Sequence, residues 1–189
     1  MRDVLGDEFL TLRVRHYELR ENFDDDFCVL TCSVVESPGE QTFNAEGKGV
    51  GLLDAFFHAL AARYKDEHPS LDTIRFSSFL VRGLMGDSSD QAASDAKAEA
   101  IVGITNSSGV EFQFGAVSPS VSHSSIEATL EAVEYFVNSE RAYVRLYRAL
   151  EHHKSSGRPE LVAKYTELLA EMVRNTSYSS AVERIKSGS

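Results

Sequence analysis

The chain has no tryptophan and, in 189 residues, only two cysteines, three methionines and four prolines. Two cysteines cannot form a disulfide framework. Cys28 and Cys32 also fall in a stretch that reads as a strand, on one face but too far apart to bridge, so buried free thiols are expected. Long apolar runs are missing as well. Phe27-Cys28-Val29-Leu30 is typical of those present, far short of the ~20 residues of a membrane helix, and Met1-Arg2-Asp3 leads into no signal-peptide core. A cytoplasmic protein without membrane contact is the expectation.

Basic residues are few, 19 against 29 acidic, and unevenly placed: ten against 24 in residues 1–140, nine against five in residues 141–189. An acidic body repels phosphate backbones, which argues against a nucleic-acid partner, and the mildly basic end suits docking on an acidic surface. A chain that is 42% hydrophobic and 25% charged has the balance of a folded soluble domain. Among the histidines, His152 and His153 are adjacent and point apart on a helix, while His16, His58 and His68 have no ligand spacing. Asp24-Asp25-Asp26 lacks the alternating oxygens of a calcium loop. No metal and no cofactor are expected.

What is present is a repeat. Leu10, Leu12 and Val14 alternate with Thr11, Arg13 and Arg15 over 9–19, 27–35 is a more fully apolar run, and 41–46 alternates around Phe43 and Ala45; these read as three strands in hairpin order. Gly47-Lys48-Gly49-Val50-Gly51 follows, then Leu53, Phe56, Phe57, Leu60 and Tyr64 at helical spacing. After Pro69 the order returns, with strands at about 71–82, 96–105 and 110–117 and a helix carrying Ile126, Leu130, Val133 and Val137. Ser124-Ser125-Ile126-Glu127 has the form of a capping box with Ser124 as N-cap, and Asp54-Ala55 stands where Glu127-Ala128 stands in the second half. The fold class is therefore α+β, a tandem β-β-β-α repeat with pseudo-twofold symmetry, read as a six-stranded arrangement with both helices on one layer and followed by C-terminal α-helices. Residues 1–140 form the body (units of about 9–66 and 71–138), 141–175 a helical extension broken at Ser155–Pro159, and 176–189 a flexible tail.

Glycines that follow a strand and open a helix sit where anions meet free backbone N–H groups and the helix dipole. The G-x-G-x-G spacing is neither a dinucleotide fingerprint nor a P-loop, which leaves a tight turn or a ligand cradle. The corresponding Ser118-Pro119-Ser120-Val121-Ser122-His123-Ser124-Ser125 has the residues of a nucleophile and a base, but also those of a turn and N-cap.

Gly47 to Leu60, Ser94 to Ala100, and Ser118-Pro119-Ser120-Val121 with Ser124-Ser125-Ile126-Glu127-Ala128 and Asn138 together resemble, in the same order, the C-terminal allosteric domain of α-isopropylmalate synthase. The resemblance covers roughly residues 9–140. It implies a pair of β-β-β-α units binding leucine as feedback inhibitor, or isoleucine as in the related citramalate synthase, with a homodimer as the assembly. It implies effector contacts from Gly49, Val50, Gly51, Leu53 and Asp54 at the first helix start, Phe76, Phe79 and Gly83 on the fourth strand, Ala96 on the fifth and Val121 at the second helix start. In that reading backbone N–H groups hold the effector carboxylate, Asp54 takes its ammonium, and Leu53, Phe76 and Val121 offer an apolar slot. The chain departs from the family at Val50-Gly51-Leu52, where Asn-Gly-Pro is common, at Phe79 in place of Tyr, and at Ser124 in place of Asp. No stretch of it supplies the His-x-His ligands or the ~250 residues of a catalytic barrel. The chain is thus expected to be no enzyme on its own but a regulatory module acting on a separate catalytic subunit. The alternatives are a dimerisation module that binds no ligand, and a small hydrolase or acyltransferase working through Ser120, Ser122 or His123.

Overall fold

The computed structural model describes residues 1–84 and 97–175. A short helix α1 (Arg2–Leu5) precedes three antiparallel strands, β1 (Thr11–Glu21), β2 (Cys28–Ser37) and β3 (Gln41–Gly49), which lead into helix α2 (Leu52–Tyr64). Strands β4 (Arg75–Leu84), β5 (Lys97–Thr105) and β6 (Glu111–Ser118) repeat the pattern and lead into α3 (Val121–Ser155), with α4 (Pro159–Asn175) last. The tandem β-β-β-α order is the one the hydrophobic periodicity predicts.

The duplication reaches the irregularities of the sheets. β1 is bulged between Val14 and His16, and β4 between Phe76 and Ser78. In each strand the extra residue, Arg15 or Ser77, puts the residues on either side of it back in step, so that Val14 and Tyr17 in one half and Phe76 and Phe79 in the other face the helices. Gly49 pairs with Cys28 as Ser118 pairs with Ala98, and the helices start equally soon afterwards. This register sets His58-Ala59, not Asp54-Ala55, opposite Glu127-Ala128.

Four expectations are corrected. The six strands do not form one layer but two three-stranded sheets, β1-β2-β3 and β4-β5-β6. The chain leaves α2 through a 3-10 turn at Pro69–Asp72 and brings Phe76 edge-on to Phe57 at 5.2 Å, so β4 starts beside α2 rather than on an edge of the first sheet. That turn also delays β4 to Arg75. Finally, α3 runs unbroken past Asn138, because no glycine or proline interrupts residues 121–155. Its N-cap is Ser120, whose hydroxyl accepts the His123 N–H at 3.3 Å, while Ser124 lies buried in the first turn. The break before Pro159 falls where it was predicted.

One core joins the halves: Leu10, Val34, Phe56 and Leu60 from the first meet Val102, Ile104, Leu130 and Phe136 from the second. Beyond it, Tyr143, Leu146 and Leu150 of α3 pack on Leu169 of α4. Helix α3 also reaches into the first half with two polar side chains one turn apart. Asn138 brackets Leu10, accepting its N–H at 2.7 Å and donating to its carbonyl at 2.8 Å, and Glu134 accepts the Leu12 N–H at 2.5 Å. The predicted tail 176–189 lies outside the described residues.

Glu134 has a measurable consequence. Burial, only partly offset by the Leu12 N–H, pushes its carboxyl from 4.5 up to about 7. The folded state therefore holds this proton more tightly than the unfolded chain, and the stability it confers is complete below pH ~4.5 and lost as pH rises through about 7. The carboxyl is only half-buried, so solvent screening limits the loss to ~1 kcal/mol. Glu134→Gln is expected to melt ~3 °C higher than the unaltered protein at pH 8 and level with it at pH 4.5. Thermal unfolding by circular dichroism at the two pH values checks this; equal melting points at pH 8 would contradict it.

Candidate functional site

The start of α2 is built by close approach. A Cβ on Gly47 would lie 2.0 Å from the Ala55 carbonyl oxygen, and one on Gly49 would lie 2.4 Å from the Ala55 nitrogen. These two glycines seat the helix directly on β3. Gly51 differs: nothing lies within 4 Å of its Cβ position, and it is the N-cap of a helix that no side chain caps. The first turn thus opens its N–H groups to the outside, where the helix dipole favours an anion. Around it the Asp54 carboxylate accepts the Val50 N–H through Oδ2 at 3.1 Å. His58 donates from Nδ1 to the Lys48 carbonyl at 2.8 Å and stands 3.8 Å from the same carboxylate oxygen. Asp54 Oδ1 has no hydrogen-bond partner among the described residues. Leu53 packs half-buried against the core, and Val50 is 81% exposed. From Asp54 a groove of about 570 Å³ runs along α2 past Phe57 and His58 to Arg75 and Phe76. An uncapped helix start, an open carboxylate oxygen and an aromatic groove complement the carboxylate, ammonium and side chain of a small zwitterion.

The other expected residues lie along β4. Phe76 pairs with Ile104, Phe79 with Val102 and Gly83 with Ala98, so all three face the helix side of the second sheet. Helix α3 covers β5 and β6 there and leaves β4 open, with Phe79 half exposed. Gly83 shares its row with Ala98 and Ser118, beside the end of the sheet from which Val121 opens α3. At ~3.3 Å per residue, Phe76 and Gly83 stand ~20 Å apart, farther than one amino acid reaches. Within one chain the expected residues therefore form two groups: Gly49, Val50, Gly51, Leu53, Asp54 and Phe76 at one end, Gly83 and Val121 at the other, with Phe79 between. Ala96 lies outside the described residues.

The start of α3 is spent on itself. Ser118 Oγ accepts the Ser120 N–H at 3.0 Å, and Ser124 and Ser125 donate to the Val121 carbonyl at 3.1 and 2.7 Å. His123 stands 3.5 Å from Glu127, in the helix positions that Asp54 and His58 hold in α2 with acid and base exchanged. Among the described residues no cluster of three or more His, Cys, Asp or Glu is placed to hold a metal, and no helix is long and apolar enough to cross a membrane. Cys28 and Cys32 are free and buried, as expected. Burial pushes the Cys32 thiol up to about 11 and raises Cys28, with Glu21 and Asp54 adding to the latter, so both stay protonated and unreactive near neutrality.

Sequence reasoning missed a second surface. On the side of the second sheet away from the helices, Leu80, Ile101 and Gly115 form one apolar row, and Val117 stands in the next row beside the Arg82–Glu99 ion pair, with Leu80 and Val117 each about half exposed. The matching side of the first sheet carries Arg13, His16, Glu18, Arg20, Asn44 and Glu46 instead. Its signal in the sequence was Leu80-Val81, apolar on both faces of a strand that only one layer of helices can cover, with Leu84 returning to the outer face beyond Arg82.

Comparison with known proteins returns one family. The model of the LeuA allosteric (dimerisation) domain matches residues 28–137, from the start of β2 through the first half of α3. No curated protein matches the chain.

Proposed function

We propose, on the premise that this chain belongs to the LeuA allosteric (dimerisation) domain family, that it is a regulatory, dimer-forming module that binds a branched-chain amino acid, leucine or isoleucine, and acts on a separate catalytic subunit. The observation that carries the reading is the start of α2, where uncapped N–H groups and the Asp54 carboxylate lie within one helical turn beside the Phe57–Phe76 groove. Backbone N–H groups take the effector carboxylate, Asp54 Oδ1 takes its ammonium, and the aromatic rings take its side chain. Gly83, too far along β4 to touch the same molecule, and Val121 at the start of α3 complete the pocket from a second copy. Effector and assembly are then linked, since a ligand that bridges two chains stabilises their union.

Leu80, Ile101 and Val117, around the Arg82–Glu99 ion pair, supply the dimer contact, because apolar side chains on a sheet face are costly to leave in water. Leu80→Glu with Val117→Glu is expected to leave the fold intact, both side chains being half exposed, and to weaken dimerisation at least 100-fold by burying two like charges per chain. Light scattering with and without leucine or isoleucine tests this. The unaltered chain gives a dimer mass held to lower concentration by the effector, and the double variant a monomer. A dimer in both, indifferent to amino acids, would favour assembly through another surface without ligand.

A further inference from the structure

Where α3 passes beyond the family-matched segment, an open cavity of about 580 Å³ is lined by Arg141, Arg145, Arg148, Glu8, Glu36 and His68. The arginines stand four and three residues apart, a single stripe of the helix. The carboxylates around them are already engaged. Glu36 accepts the Tyr64 hydroxyl at 3.0 Å and stands 3.7 Å from Arg63; Glu8 stands 3.2 Å from Arg145; and Glu140, a third carboxylate of the lining and itself buried, accepts the Ser70 N–H at 3.1 Å and stands 3.9 Å from His68. Among the described residues Arg141 donates to His68 Nε2 and the Glu8 carbonyl, both at 3.4 Å, and to no carboxylate. Arg148 has no hydrogen bond or ion pair among the described residues. Two guanidinium groups without a carboxylate therefore face one cavity, in a chain whose net charge is −10.

We propose that this cavity binds a small dianion whose paired anionic oxygens are held by Arg141 and Arg148. Guanidinium forks match such oxygens in a bidentate way, and the volume is that of a small-molecule site. Arg141, Arg145, Arg148 and Glu8 all lie outside residues 28–137, so the site is separate from the α2 groove and does not depend on the reading given for it. Inorganic pyrophosphate and malonate serve as probes in calorimetric titrations of the intact chain at constant ionic strength, and they distinguish phosphate from dicarboxylate as the source of the charge. Saturable binding of either is expected, at least tenfold weaker in Arg148→Gln and in Arg141→Gln and unchanged in Arg158→Gln, which lies outside the cavity. Because Arg148 makes no hydrogen bond or ion pair among the described residues, its loss is expected to leave the melting temperature without probe unaltered. The absence of heat from both probes at millimolar concentration, or Arg148→Gln titrating like the unaltered chain, overturns the proposal.

Discussion

Gly47→Ala should lower the melting temperature by ~10 °C, while Gly51→Ala, four residues away, should shift it by less than 2 °C. The added methyl at position 47 meets backbone alone, the Ala55 oxygen at 2.0 Å and the Ala59 nitrogen at 2.5 Å. No side chain can rotate aside, so α2 must lift from β3 and loosen Ala55, Phe56 and Ala59, all buried. Overpacking of this kind costs ~3 kcal/mol, and ~1 kcal/mol moves the midpoint by about 3 °C in a chain of this size. At Gly51 the backbone is extended, with φ at 179°, and the methyl enters open space. Melting followed by circular dichroism separates the two, and equal small shifts would mean that helix and strand are not in the contact described.

Asn138→Leu is the second large effect, a loss of ~3 kcal/mol without any change in side-chain size to speak of. Leu10 precedes the first paired residue of β1, Thr11, so its N–H and carbonyl have no ladder partner, and the chain there is fully buried. The Asn138 amide stands in for the missing strand. An apolar side chain at 138 strands both groups away from water, and the cost of a buried unpaired donor and acceptor exceeds anything the extra burial returns. Urea denaturation should show the midpoint falling with an unchanged slope. A midpoint equal to that of the unaltered chain would place the link between the halves elsewhere.

Asn138 also shows where sequence reading stops. Its position was visible as part of a motif, but not its task, because the partner is a backbone group 128 residues away and leaves no pattern of its own. Local features were legible: the strand alternation and the helical stripe from Leu53 to Tyr64 follow from periods of two and 3.6, and the stop before Pro159 from the proline itself. Bulges are not periodic. The extra residues Arg15 and Ser77 change which side chains share a face, and only the register reveals that Phe76 and Phe79, three apart, point the same way. The cap was misplaced for a similar reason. Serines at 118, 120, 122, 124 and 125 all suit a helix start, and burial of Ser124 and Ser125 is what leaves Ser120 to serve. The glycines were ambiguous between turn and cradle until the Cβ positions separated them, with Gly47 and Gly49 packing a helix and Gly51 alone facing open space. Sheet count was beyond reach, since two hairpin triplets pair internally whether or not they join.

The amino-acid site proposed at the start of α2 is open to measurement. Isothermal titration of the intact chain with leucine, isoleucine and valine tests it most directly. Saturable heat from leucine or isoleucine is expected, weakened at least tenfold in Asp54→Asn through loss of the charged partner of the ammonium. No heat from any of the three at millimolar concentration, or a titration that Asp54→Asn leaves unchanged, would contradict it.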